Sequence, residues 1–241
     1  MRNTWCDTHM NKHSKFILRP SDKILDDAAS AINGITGITR VPLNEYFMQS
    51  VFLKLTGEQE QKMKCICWDL ATDDYDYRYE RYSKGWTLGE CSRLEDKKTV
   101  YNDLYKRITG LSIDDTYREN IINETDKMIS NFYSIAKLDI GNQRAYDEYQ
   151  KLLQTIQPID LLKISKEGKV QLLSDKVKDM YDALYRHRNR CAHNTLSYQE
   201  HPFSFNKLSA KEYRFENYFL RFAILIMIDK MFVDAYKHYV D

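Results

Sequence analysis

Glycine and proline are scarce in this chain of 241 residues, which has eight glycines and four prolines. Both residue types interrupt helices, and folds with many turns use them often. Their scarcity argues for long helices and against a turn-rich β fold. Because 43% of the residues are apolar, a sizeable core is available. We therefore expect an all-α fold.

Long apolar runs are also missing. The most apolar one, 222–228, has seven residues, whereas a helix that spans a bilayer needs about 20. Residues 1–20 are polar and lack the apolar stretch of a secretory signal. The five cysteines have no regular spacing, which indicates free thiols in a reducing compartment. These features predict a soluble cytoplasmic protein without membrane contact.

An excess of charge of one sign is absent as well, because 36 basic residues face 35 acidic ones. Any argument for nucleic-acid binding must therefore come from a local basic patch. Common nucleotide and zinc-protease motifs are not found. Cys6, His9 and His13 have the types of zinc ligands, but no fourth ligand follows at finger spacing. We interpret them as part of a polar tail, and we expect no metal and no cofactor.

Apolar residues recur at helical spacing from residue 21 onwards. Residues 1–20 lack this pattern and are expected to form a flexible arm. The rest, 21–241, is expected to form one helical domain. A long helix is predicted over 43–70, with Gly57 as the place for a bend. Other predicted helices span 22–32, 88–109, 115–140, 142–155, 175 through the basic segment described next, and 209–238.

Residues 73–82 alternate tyrosines with charged residues. This pattern fits a strand, but it also continues the preceding helix with charges spaced four apart, and we favour the helix. Tyr75, Tyr77 and Tyr79 could stack on RNA bases. Half-buried tyrosines on a solvated helix are the simpler interpretation.

The densest group of donors and acid–base groups lies in 185–194, which reads Tyr-Arg-His-Arg-Asn-Arg-Cys-Ala-His-Asn. Its arginines supply fixed positive charge with several donors each. Its histidines titrate near neutral pH. Phosphodiester cleavage needs both, since charge holds the phosphate and a proton carrier assists bond breaking. This segment is therefore the predicted functional centre.

Arg188 lies in phase with the apolar stripe of its helix, four residues after Leu184 and seven after Tyr181. Its guanidinium therefore faces protein, where an unpaired charge is costly. It needs a carboxylate, a dimer groove or a phosphate. His193 follows five residues later, about 140° further round an ideal helix. Either the helix loosens near Cys191 or a second subunit completes the site.

Arg188-Asn189-x-x-x-His193 resembles the Arg-polar-x(3)-His form of the Rx4-6H motif of HEPN domains. These all-helical domains occur in prokaryotic toxins, phage-defence proteins and RNA-processing enzymes. The resemblance includes the position of the motif late on an amphipathic helix, Tyr181-x-x-x-Tyr185 before it and a long apolar helix after it. It covers about residues 174–240, and the remainder suggests a HEPN-like bundle with additional helices.

The resemblance implies metal-independent cleavage of RNA by a homodimer, in a toxin or anti-phage defence system. Catalysis would involve Arg188 at the scissile phosphate, Asn189 as a positioning group and His193 as general acid–base. RNA binding would involve the neighbouring side chains of Tyr185, Arg186, His187 and Arg190. An antitoxin or another regulatory protein is a further implied partner. The alternative is a non-catalytic HEPN-type interaction or nucleotide-binding module.

Overall fold

The computed structural model describes residues 12–32, 40–83, 91–136, 140–166, 168–193 and 217–241. About 80% of it is helical, which confirms the prediction of an all-α fold. The helices are α1 (Lys12–Ile17), α2 (Asp22–Ile32), α3 (Arg40–Asp73), α4 (Tyr75–Ser83), α5 (Leu94–Tyr105), α6 (Asp115–Ala136), α7 (Ile140–Leu153), α8 (Asp175–His193) and α9 (Tyr218–Val240). Two short strands, β1 (Leu162–Ile164) and β2 (Val170–Leu172), pair in antiparallel fashion before α8.

The apolar helix α9 lies at the centre of the bundle. All residues from Phe219 to Asp229 are buried, and α9 contacts α1, α3, α5, α6, α7 and α8. Asn217 precedes the helix and accepts hydrogen bonds from the backbone N–H groups of Phe219 at 2.9 Å and Leu220 at 3.4 Å. Because this helix is apolar on all sides, it needs neighbours all round. Among the described residues, no helix is both long and apolar enough to cross a membrane.

The long helix α3 confirms the predicted helix over 43–70 and continues through Gly57 without interruption. Asp74 separates it from α4, and one carboxylate oxygen of Asp74 accepts a hydrogen bond from the backbone N–H of Tyr77 at 3.0 Å. The prediction that this segment is helical is therefore correct. From Tyr75 onwards it forms a separate helix instead of continuing α3. Tyr77 is buried, whereas Tyr75 and Tyr79 are exposed.

The predicted flexible arm is wrong for residues 12–20, because α1 packs against α3 and α9. Ile17 is fully buried, and the hydroxyls of Ser14 and Tyr236 lie 3.0 Å apart. Nδ1 of His13 lies 2.7 Å from a carboxylate oxygen of Asp69. So short a helix has too few residues for a periodic signal, and its docking stabilises it. Cys6 and His9 lie outside the described residues.

Several predicted helix ends are wrong. α5 stops at Tyr105 instead of 109, and Gly110 follows in a turn with a φ of +85°. α7 begins at Ile140 instead of 142, so Gly141 lies within it. α9 begins at Tyr218 because the backbone of Asn217 is extended. Residues 33–39 and 194–216 lie outside the described residues.

The β1–β2 hairpin is absent from the predictions, because three-residue strands are too short for a clear alternating pattern. Asn102 of α5 extends the hairpin sideways: its amide donates to the Val170 carbonyl at 2.7 Å and accepts from the Val170 N–H at 2.8 Å. After β2, the Ser174 N–H donates to the Asp160 carbonyl at 2.7 Å. The hairpin thus fixes where α8 begins relative to α5.

Candidate functional site

The inner face of α8 consists of Val177, Met180, Tyr181 and Leu184, which are all buried. Arg188 continues this face, as its phase predicts. α8 packs against α3, α5 and α9. Its inner face therefore carries the Arg188 guanidinium towards other helices instead of bulk solvent.

The Arg188 guanidinium pairs with Glu60 of α3. Its Nη2 donates to both carboxylate oxygens of Glu60, each at 3.0 Å. Its Nη1 donates to the side-chain oxygen of Asn189 at 3.2 Å. The Arg188 side chain is 23% exposed and that of Glu60 is 15% exposed. Of the three predicted partners for Arg188, the structure contains the carboxylate.

A small cavity of about 10 Å³ adjoins this pair. Its walls combine residues of α3, α8 and α9 with Ser92 and Lys97 from the start of α5. Such a volume holds about one water molecule, so it is far too small for a nucleotide. A substrate phosphate could reach Arg188 only from the exposed side of its guanidinium.

Tyr185 and Asn189 form the outer part of the site. Hydrogen bonds with Asn189 and Arg93 lower the pKa of the Tyr185 phenol below its ordinary value. Tyr181, one turn earlier, donates its hydroxyl hydrogen to the Ser92 carbonyl at 2.7 Å, and burial raises its pKa. α8 is thereby attached to the segment that leads into α5.

Lys97 is the least expected member of this site. It is only 2% exposed, and its ammonium lies 3.5 Å from the Met63 sulfur and 5.9 Å from the centre of the Tyr181 ring. Arg93 lies beside Tyr185 and Arg188 beside Glu60, so this end of α8 brings together three cations and the carboxylates of Glu60 and Asp96. A half-enclosed region with three cations and two carboxylates retains one net positive charge, which favours an anionic ligand.

The other predicted RNA-binding side chains take different positions. Arg186 is exposed. The His187 ring packs on Phe52, with ring centres 5.4 Å apart, and its Nε2 lies 3.0 Å from the Tyr218 hydroxyl. Nδ1 of His187 lies 3.4 Å from a guanidinium nitrogen of Arg190. Direct contact between His187 and RNA would require its ring to leave these neighbours.

His193 is the last residue of α8, and its side chain lies outside the described residues. The helix continues through Cys191, so the first of the two alternatives, a loosened helix, is not observed. Five residues on one regular helix turn the chain by about 140°. The Cα atoms of Arg188 and His193 therefore lie on different sides of α8.

The sequence interpretation did not identify Glu60, Arg93 or Lys97. A signal for Lys97 existed, because it lies in phase with Leu94, Tyr101 and Leu104, which are all buried. The same argument placed Arg188 against protein. Glu60 had no such signal, since its importance comes from a partner 128 residues away.

Comparison of the chain with protein-family models, with curated proteins and with solved structures gave no match.

Lys97 should make stability depend on pH. Burial lowers the pKa of its ammonium from 10.5 to about 8. Between these values the unfolded chain binds more protons than the folded one, so stability should rise with pH. We expect the free energy of unfolding of the wild type, relative to Lys97→Met, to increase by about 2 kcal/mol from pH 7 to pH 10.

Urea denaturation of both proteins across this pH range measures the difference. The variant is needed as a reference because buried tyrosines lower the free energy of unfolding as the pH rises, opposite to the effect of Lys97. Burial raises the pKa of Tyr101 and Tyr181, so their contribution to stability decreases once the unfolded tyrosines ionise, near pH 10. A difference between the two proteins that does not change with pH would contradict a low pKa for Lys97.

Proposed function

We propose that the protein is a metal-independent endoribonuclease of the HEPN type, acting as a toxin or anti-phage defence effector. The observation that carries this proposal is the arrangement at the outer end of α8. Arg188 and Asn189, which the motif associates with phosphate chemistry, are joined by a hydrogen bond of 3.2 Å. Two further cations, Arg93 and Lys97, lie beside them. The toxin or defence role rests on the motif resemblance alone.

In the proposed reaction, Arg188 stabilises the negative charge that develops on the scissile phosphate. His193 removes the proton from the ribose 2′-hydroxyl or protonates the leaving oxygen. The 2′-oxygen attacks the phosphorus and the bond to the 5′-oxygen breaks. The products are a 2′,3′-cyclic phosphate and a 5′-hydroxyl end. Asn189 holds the reacting groups in position.

A homodimer completes the proposed site. Arg188 and His193 lie five residues apart on α8, about 140° apart round an ideal helix, and this separation disfavours their joint action on one phosphate within one chain. Two copies of the motif that meet at an interface remove this difficulty. Tyr185, Arg186 and Arg190 then hold neighbouring nucleotides and phosphates, and His187 supports this face through its contact with Arg190.

The test is cleavage of total cellular RNA and tRNA by the purified protein in EDTA, beside His193→Ala. We expect 2′,3′-cyclic phosphate ends from the wild type only. Equal cleavage by both proteins would indicate a contaminant or a different site. Toxicity on expression that disappears with an Arg188 substitution would be independent support.

A non-catalytic helical interaction module is the second candidate, and the Arg188–Glu60 pair favours it. An arginine that donates two bonds of 3.0 Å to a carboxylate has a complete structural role without RNA. On this hypothesis His193→Ala leaves partner binding unchanged. Absence of cleavage by the wild type, together with a bound protein recovered from its host cells, would favour the module.

A further inference from the structure

Within the described residues, the counter-ion of Glu60 is Arg188. The Glu60 side chain is 15% exposed, and Arg188 donates to both of its carboxylate oxygens. If Arg188 turned towards a phosphate, a carboxylate with little access to water would lose its partner. An unpaired charge in such surroundings is strongly destabilising. Engagement of a phosphate by Arg188 therefore needs a second cation for Glu60.

Lys97 is a buried cation for which the described part of the chain supplies no oxygen acceptor. Its ammonium group has three N–H donors, but its neighbours are the Met63 sulfur at 3.5 Å and the face of Tyr181. Among the described residues, no carboxylate lies within ion-pair distance of it. A thioether is a weak acceptor. Pairing with a carboxylate would therefore stabilise the buried ammonium group of Lys97.

The cavity offers a path between these two groups. Glu60, Lys97 and Arg188 all line it, and its volume is about 10 Å³. This is roughly the room that one water molecule needs, and an ammonium group is of similar size. The lysine stem has four flexible carbons, so a change in its rotamers can bring the ammonium into this space.

We propose that Lys97 is a reserve counter-ion, which moves into the cavity and pairs with Glu60 when Arg188 turns to a phosphate group. The inference rests on the proposed function, because the phosphate is what draws Arg188 away. Glu60 and Lys97 are then positioning residues. Glu60 holds Arg188 in the unliganded protein, and Lys97 lowers the free-energy cost of releasing Arg188 by pairing with Glu60 in its place.

The charges around Lys97 predict how its titration responds to this exchange. Glu60 from α3 and Cys91 and Asp96 from the start of α5 favour the ammonium form, whereas Arg188 from α8 disfavours it. The neighbouring side chain of α9, Leu225, is apolar. Loss of Arg188 from Glu60 removes a repulsion and frees a carboxylate, and both changes raise the pKa of Lys97.

The experiment follows the εCH₂ carbon signal of Lys97 by NMR during pH titration of the full chain. Arg188→Met should raise the pKa of Lys97 from about 8 to about 9 or higher. Glu60→Gln should lower it, and Arg186→Met, on the exposed side of α8, should leave it unchanged. Lys97→Met should destabilise the Arg188→Met protein more than it destabilises the wild type.

An unchanged or lower pKa in Arg188→Met would overturn the inference, whether or not the protein cleaves RNA. A second arm adds an all-2′-deoxy oligonucleotide to the wild type, since it offers phosphates without the attacking hydroxyl. A rise in the Lys97 pKa on binding supports the exchange, and binding without a rise overturns it. If the oligonucleotide does not bind while Arg188→Met still raises the pKa, the ribonuclease proposal is weakened and the reserve role of Lys97 stands.

Discussion

Replacing Arg188 by methionine is expected to lower the rate of RNA cleavage by about 100- to 1,000-fold, the range found when one group that stabilises a developing negative charge is removed. Arg186→Met should lower it by only a few fold, because this exposed arginine contributes long-range attraction to the RNA backbone. The two variants remove the same charge from the same helix, so net charge is matched between them.

The position of each guanidinium explains the difference. Arg188 is only 23% exposed and donates to the Asn189 side chain, whereas Arg186 is exposed, and a positioned donor stabilises a transition state better than a mobile one. Arg188→Lys should recover only a small part of the activity, because an ammonium lacks the planar array of donors. The loss should appear in kcat for Arg188→Met and mainly in KM for Arg186→Met.

Steady-state cleavage of a short fluorescent RNA provides kcat and KM, and circular dichroism confirms that the variants are folded. Equal rates for wild type and Arg188→Met would exclude Arg188 from the chemistry. In that case the Arg188–Glu60 pair would be purely structural, as the interaction-module hypothesis states.

Replacing Lys62 by methionine is expected to lower the free energy of unfolding by about 3–5 kcal/mol, because it leaves the buried Asp229 carboxylate without its cation. Lys62 of α3 donates to both carboxylate oxygens of Asp229 in α9, at 2.8 Å and 3.0 Å. Both side chains are almost inaccessible, at 3% and 5% exposed.

The same ammonium joins the end of α1 to this pair. It donates to the backbone carbonyl of Arg19 and to the Ser21 hydroxyl at 3.3 Å. The Ser21 N–H donates to Asp229 at 3.2 Å. Loss of Lys62 therefore removes the ion-pair partner of Asp229 in α9. It also removes the hydrogen bonds that hold the segment between α1 and α2.

Lys230→Met is the matched control, because Lys230 directly follows Asp229 in α9. Lys230 pairs with Glu124 at 2.6 Å, but the Glu124 side chain is 62% exposed, so its loss should cost less than about 1 kcal/mol. Urea denaturation measures both variants. Similar losses for Lys62→Met and Lys230→Met would show that the buried pair contributes no more than a surface pair.

The sequence by itself determined the helical class, most of the helices and the direction in which Arg188 points. These properties follow from local spacing, because apolar residues three to four positions apart define one face of a helix. The same spacing places Lys97 on the buried face of α5. Helical spacing predicts which residues face the protein interior, but it does not predict which groups they contact there.

Tertiary structure decided the partners. Glu60 and Arg188 meet because α3 and α8 pack together across 128 residues of chain, and Lys62 meets Asp229 across 167. α1 is stable because α3 and α9 bury Ile17, and the short hairpin because Asn102 pairs with its edge. Each of these contacts depends on the arrangement of whole helices, whose free energy comes from burial summed over many residues. A local pattern therefore cannot specify them.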